Sequence, residues 1–421
     1  MKTVVAPGIS TLRDVCAEPY GVWLDSSMAG GTLGTRSFWA ADPVAVLRSC
    51  GRRVEVERLG ATERSEGDPL EVLRKMLAEH SRHREGAAVG YMGYGLKRHV
   101  ERLPDTVTDD LGLPECHLAF YERLHEIDPW PLAPAEPPAL RRDFPEMRST
   151  FTRAEYEGAV RRALEYIRAG DIYQVNLSQR FEAACAEDPF DVYLRLRALS
   201  PAPFAAFLRL PDCAVLSSSP ERFLRYTPED QRIETRPIKG TRPRGATPEE
   251  DEALRRELLA SDKDRAENVM IVDLERNDLG RVAEIGSVRV TGLFEAETYA
   301  TVHHLVSTVE ARLGEGRDAV DLLRATFPGG SVTGAPKIRS MEIIDELEPV
   351  ARGVYTGSIG YMRPDGEMDL NIAIRTMVIK GRRAYFSVGG GIVADSDPAA
   401  EYQETLDKGA AMARALVGEG G

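Results

Sequence analysis

Four strand-like runs follow one another with no helix between them, at residues 204–210, 214–218, 222–226 and 232–235. Strict alternation of strand and helix would point to a doubly wound sheet. Clusters of each point instead to an α+β fold built from antiparallel or mixed sheets. The helical periods cluster as well: residues 248–277 read as acidic helices, 318–326 and 338–347 as two more, and 398–417 as a closing helix. Late strands are predicted at 354–362, 370–379 and 384–388. No internal repeat of 20–50 residues is visible.

The segment from Thr152 is the most regular. Thr152 and Glu155 form a capping box. Tyr156, Val160, Ala163, Leu164 and Ile167 then make one apolar stripe, and Gly170 can end the helix. Residues 171–180 alternate, with Tyr173, Val175 and Leu177 on one face and Gln174, Asn176 and Ser178 on the other, the pattern of a half-buried strand. Residues 1–128 form an N-terminal region of short strands and helices, including an amphipathic helix at 68–83 and a glycine-punctuated apolar strand at 87–95. His80 and His83 on that helix lack a third ligand and read as surface residues. Six prolines between 129 and 145 make 129–147 a stiff connector to the region 148–421.

Composition narrows the function. Of 421 residues, 43% are hydrophobic and 29% charged, enough apolar material for a large core. A net charge of −13 with no basic face argues against a nucleic-acid partner, while an anionic small substrate stays open. No stretch is long and apolar enough for a membrane span. The five cysteines are scattered and never in C-x-x-C spacing, which fits reduced thiols and a cytoplasmic setting.

Several residues can carry chemistry. Lys239 lies in Arg236-Pro-Ile-Lys-Gly-Thr-Arg-Pro-Arg-Gly245, which reads as a loop, stiff before the lysine and slim after it. It is either a solvated turn residue or a pocket nucleophile whose neutral form Arg236, Arg242 and Arg244 would favour. Glu401 and Glu404 share a helix face, with Lys408 one turn on and Glu267 on another helix. These carboxylates suit either Mg²⁺, which takes hard oxygen ligands, or ordinary salt bridging of Glu404 to Lys408. Gly389-Gly-Gly391 is either a bulge or a turn offering amide N–H groups to an anion. Arg375, isolated in an apolar strand, needs a protein or ligand carboxylate as partner. Glu221 and His304 are acid–base candidates. Residues 328–337 fail the phosphate-loop pattern, because Ala335 stands where its lysine would be.

Taken together the segments resemble the chorismate-utilising enzyme family. The matching stretches are Asp171-Ile-Tyr-Gln-Val-Asn-Leu177, Ser219-Pro-Glu221, Arg236-Pro-Ile-Lys-Gly-Thr241, Ala266-Glu-Asn268, His304-Leu-Val-Ser307, Phe327-Pro-Gly-Gly-Ser331, Gly353-Val-Tyr-Thr-Gly357, Ala373-Ile-Arg375, Gly389-Gly-Gly-Ile392 and Glu401-Tyr-Gln-Glu-Thr405, in the family's order. The resemblance implies an α/β/β/α core with the site between two sheets. Lysine before Gly240-Thr241 resembles the branch that aminates chorismate at C4 and keeps the enolpyruvyl ether; the anthranilate-forming branch has alanine there.

The implied roles follow. Lys239 is the covalent nucleophile and Glu221 the general acid, with His304 lining the site. Glu267, Glu404 and Glu401 hold Mg²⁺. Tyr355, Arg375, Gly389, Gly390, Gly391, Lys408, Thr241 and Ser331 bind chorismate. Gln174 replaces the lysine base of water-adding relatives. A separate glutamine amidotransferase is implied as ammonia source, since no cysteine sits in a glycine-rich nucleophile turn. Some relatives bind tryptophan near the segment matching Trp23–Ser27, and the sequence leaves that pocket open.

Overall fold

A computed structural model of the chain describes residues 9–27, 33–58, 60–104, 106–129, 147–299 and 302–417. The connector falls almost wholly outside these residues. Among them, two sheets of ten and twelve strands carry the fold. Every ladder between these strands is antiparallel.

The first sheet runs in the order Gly334–Ala335, Gln174–Ala184, Arg383–Ile392, Thr376–Lys380, Ala214–Ser219, Phe204–Arg209, Val22–Asp25, Ser37–Ala40, His125–Ile127, with Arg148–Ser149 beside Gln174–Ala184. The second begins at Ile238–Pro243 and passes through Val302–Arg312, Arg232–Arg236, Arg222–Thr227, Met368–Asn371 and Ser358–Met362. It continues through Ala87–Met92, Cys116–Tyr121, Ala45–Cys50, Arg53–Arg58 and Ala61–Glu66, and Arg289–Thr298 flanks Val302–Arg312. Strands from residues 22–127 thus complete both sheets.

Three apolar layers result. Val22, Phe38, Leu208 and Val215 of the first sheet meet Val89, Tyr91, Ala119 and Ile359 of the second. The outer face of the first sheet packs Phe207, Leu216 and Phe386 on the helices Pro189–Leu199 and Pro398–Val417. That of the second packs Leu118, Leu224 and Val309 on Pro69–Glu79, Asp262–Gly280 and Ala319–Thr326. This is the expected α/β/β/α layering. None of the helices among the described residues is long and apolar enough to cross a membrane.

Local rules hold where the sequence was regular. Thr152 caps the helix Arg153–Ala169 with Glu155 as its box partner, and Gly170 ends it at φ +84°. Elsewhere the structure differs from the reading. Gln174–Ala184 is buried on both faces because sheet and helix cover it, and Gln174, Asn176 and Ser178 are 0%, 7% and 4% exposed. Tyr173 lies outside the strand and is 73% exposed. His80 is part-buried and packs on the Phe120 ring. Residues 370–379 are not one strand: the chain leaves the second sheet after Asn371 and enters the first at Thr376. It makes the reverse passage between Ser219 and Arg222. The two passages lie side by side, joined by Ile372 N–H to Glu221 O (3.0 Å), Ser218 N–H to Arg375 O (3.0 Å) and Ser219 Oγ to Ile372 O (2.6 Å).

Candidate functional site

The two passages present Glu221 and Arg375. Glu221 is 4% exposed, and Ile238 N–H reaches its Oε1 at 3.4 Å. Burial raises its pKa above the ordinary carboxylate value, against the pull of the Ser331 hydroxyl and the Lys239 ammonium. Arg375 sits at φ +49°, a left-handed conformation rare for a side chain of its size. Burial lowers its pKa, and Glu221 is the charge that opposes this. Among the described residues no side-chain carboxylate forms a salt bridge with its guanidinium. It is not an interruption within a strand, as the sequence suggested, but a residue of the turn between sheets.

Lys239 lies on the adjacent edge strand Ile238–Pro243, not in a loop. The ladder is irregular between Ile238 and Thr241, and Gly240 takes φ +82°. A Cβ at Gly240 would come within 2.9 Å of Leu258 and Asp264 side-chain atoms, so the slim residue is required there. Lys239 Nζ donates to Ser331 O at 3.2 Å. Burial lowers its pKa; Glu267 and Glu221 oppose the shift, and Lys408 adds to it. The three arginines expected to act here are engaged elsewhere. Arg236 pairs with Glu297, Arg242 with Glu257 (2.7 Å) and Asp264 (3.3 Å), and Arg244 with Asp251 (2.7 Å). Desolvation, not cationic neighbours in sequence, therefore favours the neutral amine.

His304, 2% exposed, pairs through Nδ1 with Thr241 Oγ1 at 2.9 Å, and its buried Nε2 has no partner. Burial first and Arg375 second push its pKa down to about 3, so the imidazole is neutral near pH 7. Tyr355 is 7% exposed and its pKa is raised by burial. Gln174 has both amide heteroatoms buried and unpartnered.

The opposite wall is helical. Glu401 is buried and accepts from Ser396 Oγ at 2.6 Å, and burial raises its pKa. Glu404 is about half exposed, at 48%, and pairs with Lys408 at 2.6 Å. Partial burial would raise its pKa, but the Lys408 ammonium, with Lys263 and Lys239, outweighs this and holds it below the ordinary value. Lys408 also donates to Gly389 O at 3.0 Å. Burial raises Glu267, with Lys239 and Lys263 opposing; Asp264 and Glu404 add to the rise. Glu404 thus acts on both Glu267 and Glu401. Among the described residues no group of three or more His, Cys, Asp or Glu is placed to enclose a metal ion. The set fits a different demand. Mg²⁺ takes one or two carboxylates, keeps waters and borrows substrate oxygens, and these donors are all carboxylate oxygens.

Gly389–Gly391 do not form a turn. They continue the strand Arg383–Ile392 opposite Asn176, Leu177 and Ser178. Their small size has a packing cause: a Cβ would meet Leu177 O at 2.5 Å from Gly389, Glu401 Oε2 at 3.1 Å from Gly390 and Gln174 Nε2 at 2.3 Å from Gly391. The strand floor therefore lies directly under Gln174 and the two helix carboxylates.

The structure also brings in residues that sequence reasoning passed over. Lys263 acts on Glu267, Glu401 and Glu404. Glu275, 2% exposed, accepts from Gly330 N–H at 3.1 Å, and burial lifts it to about 8. Arg352 lies under Tyr355, with its guanidinium 5.7 Å from that ring. Acidic spacing on the helix around Glu267 was the one signal that could have flagged Lys263.

Comparison with known proteins agrees with this geometry. Residues 34–414 match the family described as chorismate binding enzyme. Aminodeoxychorismate synthase component 1 of Salmonella typhimurium is 44% identical, covering 93% of this chain and 91% of its own. Anthranilate synthase component 1 of Cereibacter sphaeroides is 42% identical, covering 94% and 89%. Among solved structures, anthranilate synthase component I from Streptococcus pneumoniae superposes with a TM-score of 0.79 at 35% identity, covering 90% of this chain and 92% of that one.

Proposed function

The chain belongs to the chorismate binding enzyme family, and we propose that it aminates chorismate at C4, the reaction of its relatives named aminodeoxychorismate synthase component 1. The carrying observation is Lys239, a half-buried amine with a lowered pKa between Glu221 and Glu267. Its neutral amine adds to C2 of the ring. The ring double bonds shift, the C4–O bond breaks, and Glu221, whose protonated form burial favours, gives its proton to the departing hydroxyl, which leaves as water. Ammonia then adds at C4, the double bonds shift back and the C2–N bond to Lys239 breaks. One proton from the incoming nitrogen returns to the Glu221 carboxylate.

Arg375, whose guanidinium has no salt-bridge partner among the described residues, and Tyr355 take the enolpyruvyl carboxylate. Ser331, Thr241, Lys408 and the Gly389–Gly391 strand line the remaining surface. Glu267, Glu404 and Glu401 are the residues that would hold Mg²⁺. When bound, the ion neutralises and fixes the ring carboxylate. Neutral His304 fills the wall without supplying charge. We assign this chemistry to residues 148–421, with residues 1–128 completing both sheets. The relatives' designation as component 1 supports a second component, and a glutamine amidotransferase would supply the ammonia.

The test is incubation with chorismate, Mg²⁺ and ammonium, with and without an aminodeoxychorismate lyase. 4-Aminobenzoate is expected only with the lyase. Fluorescent anthranilate would overturn the reading in favour of pyruvate elimination. Lys239→Ala should fold normally and lose amination by about 10³-fold or more; an unchanged rate would remove the covalent role.

A further inference from the structure

Arg352 is 7% exposed and uses every donor it has. Nε and Nη2 reach Glu348 Oε2 and Oε1 at 2.9 and 2.7 Å. Nη1 donates to Val332 O at 3.0 Å and Thr356 Oγ1 at 3.2 Å, and Nη2 to Asn176 O at 2.7 Å. A guanidinium offers five N–H groups in a fixed plane, and here five acceptors take them. The plane also lies 4.7 Å from the Tyr94 ring and 5.7 Å from that of Tyr355. Glu348 passes the constraint on, since its Oε1 accepts from Ser178 N–H at 2.8 Å and Ser178 Oγ at 2.9 Å.

Three segments of the site meet on this one group: the strand bearing Asn176, the loop bearing Ser331 and Val332, and the turn bearing Tyr355 and Thr356. Ser331 is the residue whose carbonyl receives Lys239 Nζ. Thr356 is held at φ +59°, a conformation that needs outside support. We propose that Arg352 is a positioning residue for the amination: through Val332 it sets the carbonyl that aims the Lys239 amine, and through Thr356 it sets the ring of Tyr355. This rests on the reaction assigned above. A purely structural ion pair would affect stability and leave the kinetics of a folded variant alone.

Arg352→Lys keeps a cation beside Glu348 but has three donors for five acceptors. It is expected to fold, with kcat lowered about 10- to 100-fold, as for a small misplacement of reacting groups, and with a raised KM for chorismate. Arg352→Ala should lose more and recover in part with millimolar guanidinium but not with urea. A cavity of about 80 Å³, lined by Tyr94, Lys97, Glu348, Arg352 and Gly353 among others, gives guanidinium access. A second measurement needs no substrate: the acylation rate of Lys239 by acetic anhydride, mapped on its peptide, should change by about threefold or more in Arg352→Lys as the amine's surroundings shift. Wild-type kcat, KM and Lys239 labelling in a folded Arg352→Lys would overturn the proposal. Failure of the wild type to aminate chorismate would count against the reaction instead, and the labelling would still decide on Arg352.

Discussion

Glu221 and Glu404 are both carboxylates within electrostatic reach of Lys239, yet the two walls treat them in opposite ways. On the strand wall burial raises Glu221 above its ordinary pKa. On the helix wall Lys408 holds the half-exposed Glu404 below it. One side of the site therefore favours the protonated carboxyl and the other the carboxylate. Environment, not residue type, divides acid from anion, the separation that acid–base chemistry at neutral pH needs.

Removing the raised acid should break this contrast most. Glu221→Gln is expected to lower kcat by about 10²- to 10⁴-fold, the range for a general acid. The pH profile supplies the sign. A protonated Glu221 is lost as pH rises through its raised pKa, and a neutral Lys239 is lost as pH falls through its lowered one. The wild-type kcat/KM should be bell-shaped, and Glu221→Gln should flatten its alkaline limb. An alkaline limb that persists in this variant would assign it to another group.

The helix wall should respond in metal affinity. Chelation should stop turnover and Mg²⁺ restore it, and Glu404→Gln should raise the Mg²⁺ concentration for half-maximal rate about 10- to 100-fold. A variant with unaltered Mg²⁺ dependence would leave Glu404 to Lys408 alone. The smallest effect concerns stability. The Glu404–Lys408 pair is about half exposed, so a double-mutant cycle on thermal unfolding should give an interaction of only ~0–1 kcal/mol. A larger coupling would mean that the rim is as desolvated as the strand wall.

What was legible in the sequence follows the same division. Lys239 stood out in a proline- and glycine-rich stretch, Glu221 at a strand start and Glu404 one turn from Glu401, but the resemblance to the chorismate-utilising family is what gave these residues and Glu267 their roles; the capping box at Thr152 predicted its helix. The passages between sheets could not. Residues 370–379 read as one mostly apolar run, broken by Asn371 and by Arg375 and Thr376, and hydrophobicity alone does not record a change of sheet. Arg236, Arg242 and Arg244 are close to Lys239 along the chain, but their partners are carboxylates as distant in sequence as Glu297. Arg352 was silent for a similar reason, since its acceptors, two main-chain carbonyls, the Thr356 hydroxyl and the Glu348 carboxylate, come together from separate segments of the chain.

The passages set a limit on how the molecule can breathe. Only Pro220 and Glu221 span one of them, and residues 372–375 the other. At ~3.5 Å per residue the shorter link can stretch little beyond the usual ~10 Å spacing of stacked sheets. The two layers are tethered covalently beside Glu221 and Arg375, like a book at its spine. The acid and the arginine therefore sit where the two layers are least free to part.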